Sequence, residues 1–261
     1  MKILALNGSH RGRRGLTQVL LGLMAEGARE GGAEFETIAL SEKVIRRCLG
    51  CEACQEEGRP GTCVLDGKDE AQAILNAMRE ADILVFATPV YVFAMSSLLK
   101  TLIERVNSEC RARDIRVSKS GLVFHHVDAD LCSKPFVLVA PFGNIEGETP
   151  RSLVEYFKSY SRFMDAPMLA VLPRSGAFLI EEAVASAGPV PRATAEALGA
   201  FREAGLDLAR RGRVSTAIAR RATRSVVPMP LPVRALMAIR PLRGRLVARA
   251  KATGALGNKL R

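Results

Sequence analysis

Four cysteines stand within sixteen residues, as Cys48-x2-Cys51-x2-Cys54-x8-Cys63. Three thiols at intervals of three, with a fourth beyond a loop, can wrap soft sulfur donors around one small inorganic centre, whereas scattered cysteines serve mostly as buried apolar side chains. Cys110 and Cys132 are isolated and read as ordinary thiols. A second group of residues suits an anion. Asn7-Gly8-Ser9-His10-Arg11-Gly12-Arg13-Arg14-Gly15-Leu16-Thr17 places hydroxyls, glycines and three arginines ahead of a helical pattern. Exposed amides at a helix start, hydroxyl donors and guanidinium charge together receive phosphate. The segment lacks the Gly-Lys-Ser/Thr ending of a Walker loop and is not G-x-G-x-x-G, so its alternative is a ligand-free strand-to-helix turn. A third segment, Thr88-Pro89-Val90-Tyr91-Val92-Phe93, carries a rigid proline turn and two aromatics where polar residues are the default. A flat, partly apolar ring needs walls of that kind, although Tyr91 and Phe93 also suit a core. His125-His126-Val127-Asp128-Ala129-Asp130 contains metal-ligating residue types, but no second cluster accompanies it, and it reads as a polar loop.

The elements that would position these groups alternate. Lys2–Leu6 reads as a buried strand, and the apolar spacing of Leu16, Val19, Leu20, Leu23 and Met24 predicts a helix over Gly15–Glu30. Glu34–Leu40 is a second strand candidate, and Asp69–Glu80 a helix. Ile83–Ala87 is an apolar run of the kind buried on both faces of a parallel sheet, followed by a helix over Ser96–Val106. Residues 107–134 read as irregular and polar, longer than a typical connection. Phe136–Ala140, a helix over Pro150–Met164, the strand Met168–Leu172 and a closing helix over 191–211 complete the series. Five short buried strands alternating with helices predict an α/β fold, a flavodoxin-like doubly wound parallel sheet of order 2-1-3-4-5. Ligands of such sheets sit beyond the carboxyl ends of the strands, which singles out the loops 7–17, 88–95 and 141–148.

At 261 residues, 48% hydrophobic and 25% charged, the chain reads as a globular protein with a sizeable core. It lacks Trp and has only 5% aromatic residues, which leaves little material for a nucleic-acid stacking platform. The opening run Met1–Leu6 is too short for a signal peptide, so a cytoplasmic setting is expected, where clustered thiols serve metal binding or redox chemistry. The longest uncharged stretch, Ile83–Leu99, is interrupted by Thr88-Pro89 and Ser96-Ser97 and fits a strand, a turn and a helix start better than a membrane span. Charge is unevenly placed. Fourteen Lys and Arg follow Asp207 with no acid among them, so of the net +11 the tail carries +14 and residues 1–207 carry −3. The division expected is a folded domain over 1–207, including a cysteine loop at 46–66, and a basic extension over 208–261. Pro228, Pro230 and Pro232 precede a mixed basic and apolar stretch, Arg234–Arg249, interrupted at Pro241. That stretch suits an amphipathic helix at an anionic membrane surface or a packing arm across a subunit boundary. Recognition motifs for nucleic acid are absent.

Taken in order, Gly8-Ser9-His10-Arg11 through Thr17, Cys48-Leu49-Gly50-Cys51-Glu52-Ala53-Cys54, the helix after Thr88-Pro89-Val90-Tyr91 with Lys100 and Glu104-Arg105, and Ala140-Pro141-Phe142-Gly143 resemble the NADPH-dependent FMN reductase family, and within it the iron-sulfur flavoprotein branch. The likeness covers about residues 1–180. It implies a flavodoxin-like domain that binds FMN without a covalent bond. Ser9, Arg11 and Thr17 would hold the phosphate. Pro89, Val90, Tyr91, Val92 and Phe93 would line ribityl and isoalloxazine, and Pro141, Phe142 and Gly143 would approach the ring's other edge. Relatives commonly carry Asn where this chain has Leu16, which removes a side-chain hydrogen bond and leaves the backbone amide. The resemblance further implies a 4Fe-4S cluster on Cys48, Cys51, Cys54 and Cys63, with free redox thiols and zinc as the alternatives. The function expected is an FMN-dependent oxidoreductase or electron-transfer flavoprotein with the cluster next to the flavin, NAD(P)H a donor and a redox partner or small molecule the acceptor. A cluster-free NAD(P)H-dependent FMN or quinone reductase and a non-enzymatic electron carrier are the alternatives. A homo-oligomer is expected, with a neighbouring subunit completing the ring edge and the cysteine loop. No Rossmann fingerprint for a nicotinamide dinucleotide is present.

Overall fold

A computed structural model of the chain describes residues 1–56, 62–186 and 189–227, with isolated positions between 236 and 249. Gly58, Pro60 and Gly61 in the gap before Cys63, the three prolines after 227 and most of the expected helix over 234–249 lie outside the described residues.

The strands β1 (Lys2–Asn7), β2 (Glu34–Ala39), β3 (Ile83–Ala87), β6 (Phe136–Pro141) and β7 (Met168–Arg174) form one parallel sheet in the order β2-β1-β3-β6-β7. Counting these five alone, the order is 2-1-3-4-5, as expected from their alternation with helices. Side chains of successive strand residues point to opposite faces, and both faces are buried, which explains the uninterrupted apolar runs. Ile3, Ala5, Val85, Val137 and Val139 enter one core beneath the helices α1 (Leu16–Glu30) and α7 (Arg192–Arg211). Leu4, Leu6, Leu84, Phe86 and Leu138 enter the other, beneath α2 (Ala71–Glu80), α3 (Ser97–Arg105) and α5 (Arg151–Met164).

The first of these layers depends on two glycines. A Cβ added to Gly27 of α1 would lie 1.9 Å from the carbonyl oxygen of Arg202 in α7, and one added to Gly205 of α7 would lie 1.9 Å from that of Met24 in α1. The two helix backbones therefore touch where each presents a glycine, and no other residue fits without separating them.

Residues 107–134 are not irregular. They hold a short 3₁₀ turn, the antiparallel hairpin β4 (Cys110–Val117) and β5 (Val123–Val127), and one helical turn, α4 (Ala129–Cys132). The register shifts between Arg111 and Ile115, which breaks the two-residue alternation that would have marked the strand. Arg79 of α2 fastens this insertion, donating to Glu109 and to Asp128 Oδ2 at 2.8 Å.

Two further helices, α6 (Ala177–Ala185) and α8 (Thr216–Thr223), follow β7. The folded layer also continues past 207. α7 runs through that position, Asp207 Oδ2 accepts the Ser215 backbone N–H at 2.8 Å, and Ser215 caps α8. Arg174, wholly buried at the end of β7, donates to the carbonyls of Ala222 at 2.7 Å and Arg224 at 2.6 Å. Among the described residues no helix is long and apolar enough to cross a membrane.

Candidate functional site

The loop after β1 is organised by Asn7. Its buried side chain accepts the Ser9 N–H at 3.0 Å and donates to Gly12 O and Gln18 Oε1, so the chain turns tightly before α1 begins. Ser9 is buried and its Oγ accepts the Arg11 N–H. The sheet ladder then carries the loops after β3 and β6 alongside. Thr88 N–H donates to Val139 O, Val90 N–H to Pro141 O and Phe142 N–H to Arg174 O, each near 3 Å. Thr88 Oγ1 accepts the Ser96 N–H, and Ser96 caps α3.

These loops enclose a cavity of about 240 Å³. Ser9, Arg11, Leu16, Thr17, Pro89, Val90, Tyr91, Pro141, Phe142 and Gly143 all line it, ten positions expected from the sequence brought to one place. Val92 and Phe93 do not. They form the tip of a turn closed by reciprocal Tyr91–Ala94 backbone hydrogen bonds, both with φ in the left-handed region (48° and 67°), and Val92 is 90% exposed. A β-branched residue in that conformation is strained. The turn leaves both side chains exposed, and Phe93 is 59% exposed.

The fourth wall was not legible in the sequence. Ala177, Phe178 and Glu181 of α6 close the cavity from the side of β7. Both Glu181 carboxylate oxygens accept from Arg11 Nη1, at 2.6 and 2.7 Å, and Oε1 also accepts the Leu16 backbone N–H at 3.1 Å. The hydrogen bond to Glu181 raises the Arg11 pKa further above its ordinary value. Leu16 N–H is the first of α1 and has no intrahelical acceptor, so the donors at this helix start already hold an anionic group. That is a direct test of fit. The cradle takes a carboxylate, and the same donor set suits a phosphate.

Cys48, Cys51, Cys54 and Cys63 line a second cavity, with Arg105, Asn107 and Ser108 as its floor. All four are free thiols; Cys54 is buried and Cys51 exposed. Burial raises the Cys54 pKa, with smaller contributions in the same direction from Cys63 and Cys48. The loop bends through Gly50 and Glu52, both at positive φ. Arg105 is buried against Asp69, and its Nη1 also donates to Arg46 O. Among the described residues no group of three His, Cys, Asp or Glu side chains is drawn close enough to hold a metal ion. Four thiols facing one cavity nevertheless match the donor chemistry of an iron-sulfur centre.

The two cavities share no lining residue. One is bounded by the loop that leads into α3, the other by residues that leave it, and nine residues of helix put about 14 Å between those ends. The cysteines lie against the last residue of α3 and the turn that follows it, and Cys48 also lines a cavity with Lys100, Ile103 and Glu104 of that helix. His125 lies on β5, stacked on Phe124 with ring centroids 3.8 Å apart, and Asp128 caps α4 by accepting the Asp130 N–H. The His-His-Val-Asp segment thus serves the hairpin.

The family model of NADPH-dependent FMN reductases matches residues 1–129. Over that stretch the chain is similar to the NADPH-dependent FMN reductase family. The match ends before Pro141–Gly143, short of about residue 180, to which the motif resemblance was expected to reach. An iron-sulfur flavoprotein of Archaeoglobus fulgidus is 39% identical over 105 residues, 40% of this chain and 48% of its own. One of Methanocaldococcus jannaschii is 38% identical over 106 residues, 40% of this chain and 51% of its own. The chain spans about half the length of the curated relatives it matches. Among solved structures, an azoreductase of Bacillus anthracis superposes with a TM-score of 0.56 at 18% identity, covering 80% of this chain and 99% of that one. An NAD(P)H:quinone oxidoreductase of Methanothermobacter marburgensis gives 0.56 at 20%, covering 80% and 98%. At such identity these two show the flavodoxin-like fold alone.

Proposed function

We propose that the protein is an FMN-dependent oxidoreductase whose first cavity takes FMN and whose four clustered cysteines hold a 4Fe-4S cluster. The observation that carries the flavin reading is the convergence of Ser9, Arg11, Thr17 and the Leu16 amide on one side of a cavity whose other walls are Pro89–Tyr91 and Pro141–Gly143. The polar side suits a phosphate, with Arg11 supplying charge and the α1 dipole favouring an anion. The apolar side suits a flat ring, with backbone groups at the strand ends available to its polar edge. The residues of the first cavity would hold FMN, which when bound would supply hydride and single-electron chemistry, and the four cysteines would hold a centre suited to single-electron transfer. Asn7 would hold the phosphate loop in shape, and Tyr91, with His10 at a ring distance of 5.8 Å, would form the rim.

The cluster reading is supported by the shared cavity of the four thiols and by the names of the relatives. Anaerobic purification, an absorption spectrum and iron and sulfide analysis test it. Flavin bands with about four irons per chain are expected; flavin without iron makes the protein a cluster-free NAD(P)H-dependent FMN or quinone reductase. Oxidation of NADPH with a supplied acceptor separates either enzyme from an electron carrier, and failure to bind FMN overturns the whole reading.

A further inference from the structure

Glu181 occupies the donors that a flavin phosphate would need. We propose that it is a specificity-determining residue, a carboxylate that competes with the 5′-phosphate of FMN and that an unphosphorylated flavin need not displace. The proposal rests on the reading that this cavity takes a flavin. A carboxylate held by Arg11 Nη1 at 2.6 and 2.7 Å and by Leu16 N–H at 3.1 Å leaves those donors no capacity for a second anion, and two anions at that separation repel. At about 240 Å³ the cavity is also smaller than the roughly 300–1,000 Å³ typical of organic-ligand sites, and α6 supplies the wall that narrows it.

α6 starts from Gly176, which has φ of 66° and accepts the abrupt change of direction after β7. Ile180 is the one fully buried residue of α6; Ala177 packs partly buried against the same core, and its N–H donates to Phe142 O at 3.0 Å. Outward movement of α6 would widen the cavity and free Arg11 and the Leu16 amide together. Phosphate would then gain a cradle whose other partners, Ser9 and Thr17, are already buried in place.

The experiment compares FMN and riboflavin binding by flavin fluorescence quenching in the full chain and in Glu181→Gln, which keeps the shape and removes the charge. The dissociation constant for FMN is expected to fall about tenfold in the variant, the size of one charge-assisted hydrogen bond, with that for riboflavin unchanged within about twofold. Inorganic phosphate should raise the melting temperature of the variant more than that of the parent. Unchanged or weaker FMN binding in Glu181→Gln overturns the proposal, as does an equal gain for riboflavin, which would mark a steric wall and no competition for phosphate. If no form of the protein binds either flavin, the flavin reading itself falls. Should Glu181→Gln not fold, Glu181→Asp, whose shorter reach weakens the Arg11 contact, is expected to shift the same ratio in the same direction.

Discussion

The six cysteines divide by what surrounds each sulfur. Burial pushes the Cys110 pKa up to about 11 and that of Cys132 higher still, whereas Cys51 stands exposed on the loop. Thiolate is the reactive form, so at pH 8 a thiol with a pKa near 11 is ionised in about one molecule in a thousand. In metal-free protein a brief iodoacetamide pulse is therefore expected to label Cys51 first and to leave Cys110 and Cys132 unmodified by mass spectrometry; equal labelling of Cys110 would contradict its burial. His125 shifts the other way. Burial, assisted by the charge of Arg116, lowers its pKa. A folded-state value below the unfolded one means that its contribution to stability is fully present above the unfolded value of about 6.5 and is lost as pH falls through the folded value. An NMR titration should place its midpoint below that of a model peptide.

At the scale of elements, the crossing of α1 on α7 has the least room for change. Gly27→Ala and Gly205→Ala each put a methyl against a backbone carbonyl, not against a side chain that can rotate. Each is expected to cost about 3 kcal/mol in urea unfolding, at the upper end for overpacking, while Gly22→Ala on the open side of α1 costs nothing measurable. A loss below about 1 kcal/mol for both would show that the helices can part without penalty. The strands and most helices were legible because burial on one or both faces imposes a period on the sequence. The hairpin was not, because its bulge breaks the period and its charged, half-exposed side chains resemble a loop. α6 escaped notice for a different reason. Its wall-forming residues, Ala177, Phe178 and Glu181, follow no pattern that separates a cavity wall from an ordinary surface helix.

For the whole molecule, the decisive element is the segment that joins the sheet to the basic tail. Arg174 is buried among backbone carbonyls, and burial lowers its pKa to about 10, so α8 supplies acceptors that the folded sheet requires. A chain ending at Val227 is expected to keep the parent melting temperature. One ending at Arg210 loses α8 and about 3 kcal/mol, or roughly 10 °C, because the Arg174 guanidinium loses its charge-assisted partners. Liposome sedimentation with the same two chains tests the basic tail separately: binding that is unchanged on removal of residues 228–261 rules out a membrane-targeting role for them.

Sequence alone determined the alternation of strands and helices, the sheet order and the spacing of the cysteines, because periodicity and thiol spacing are local properties; the ten lining positions were expected from the motif resemblance. Only the tertiary structure decided how these parts meet. It set the cysteines against α3 and the turn after it, left Val92 and Phe93 exposed at the tip of a turn, and laid Glu181, 165 residues beyond Leu16, on the amide that starts α1. Contacts of that range depend on how the sheet closes its layers, and no local pattern records them.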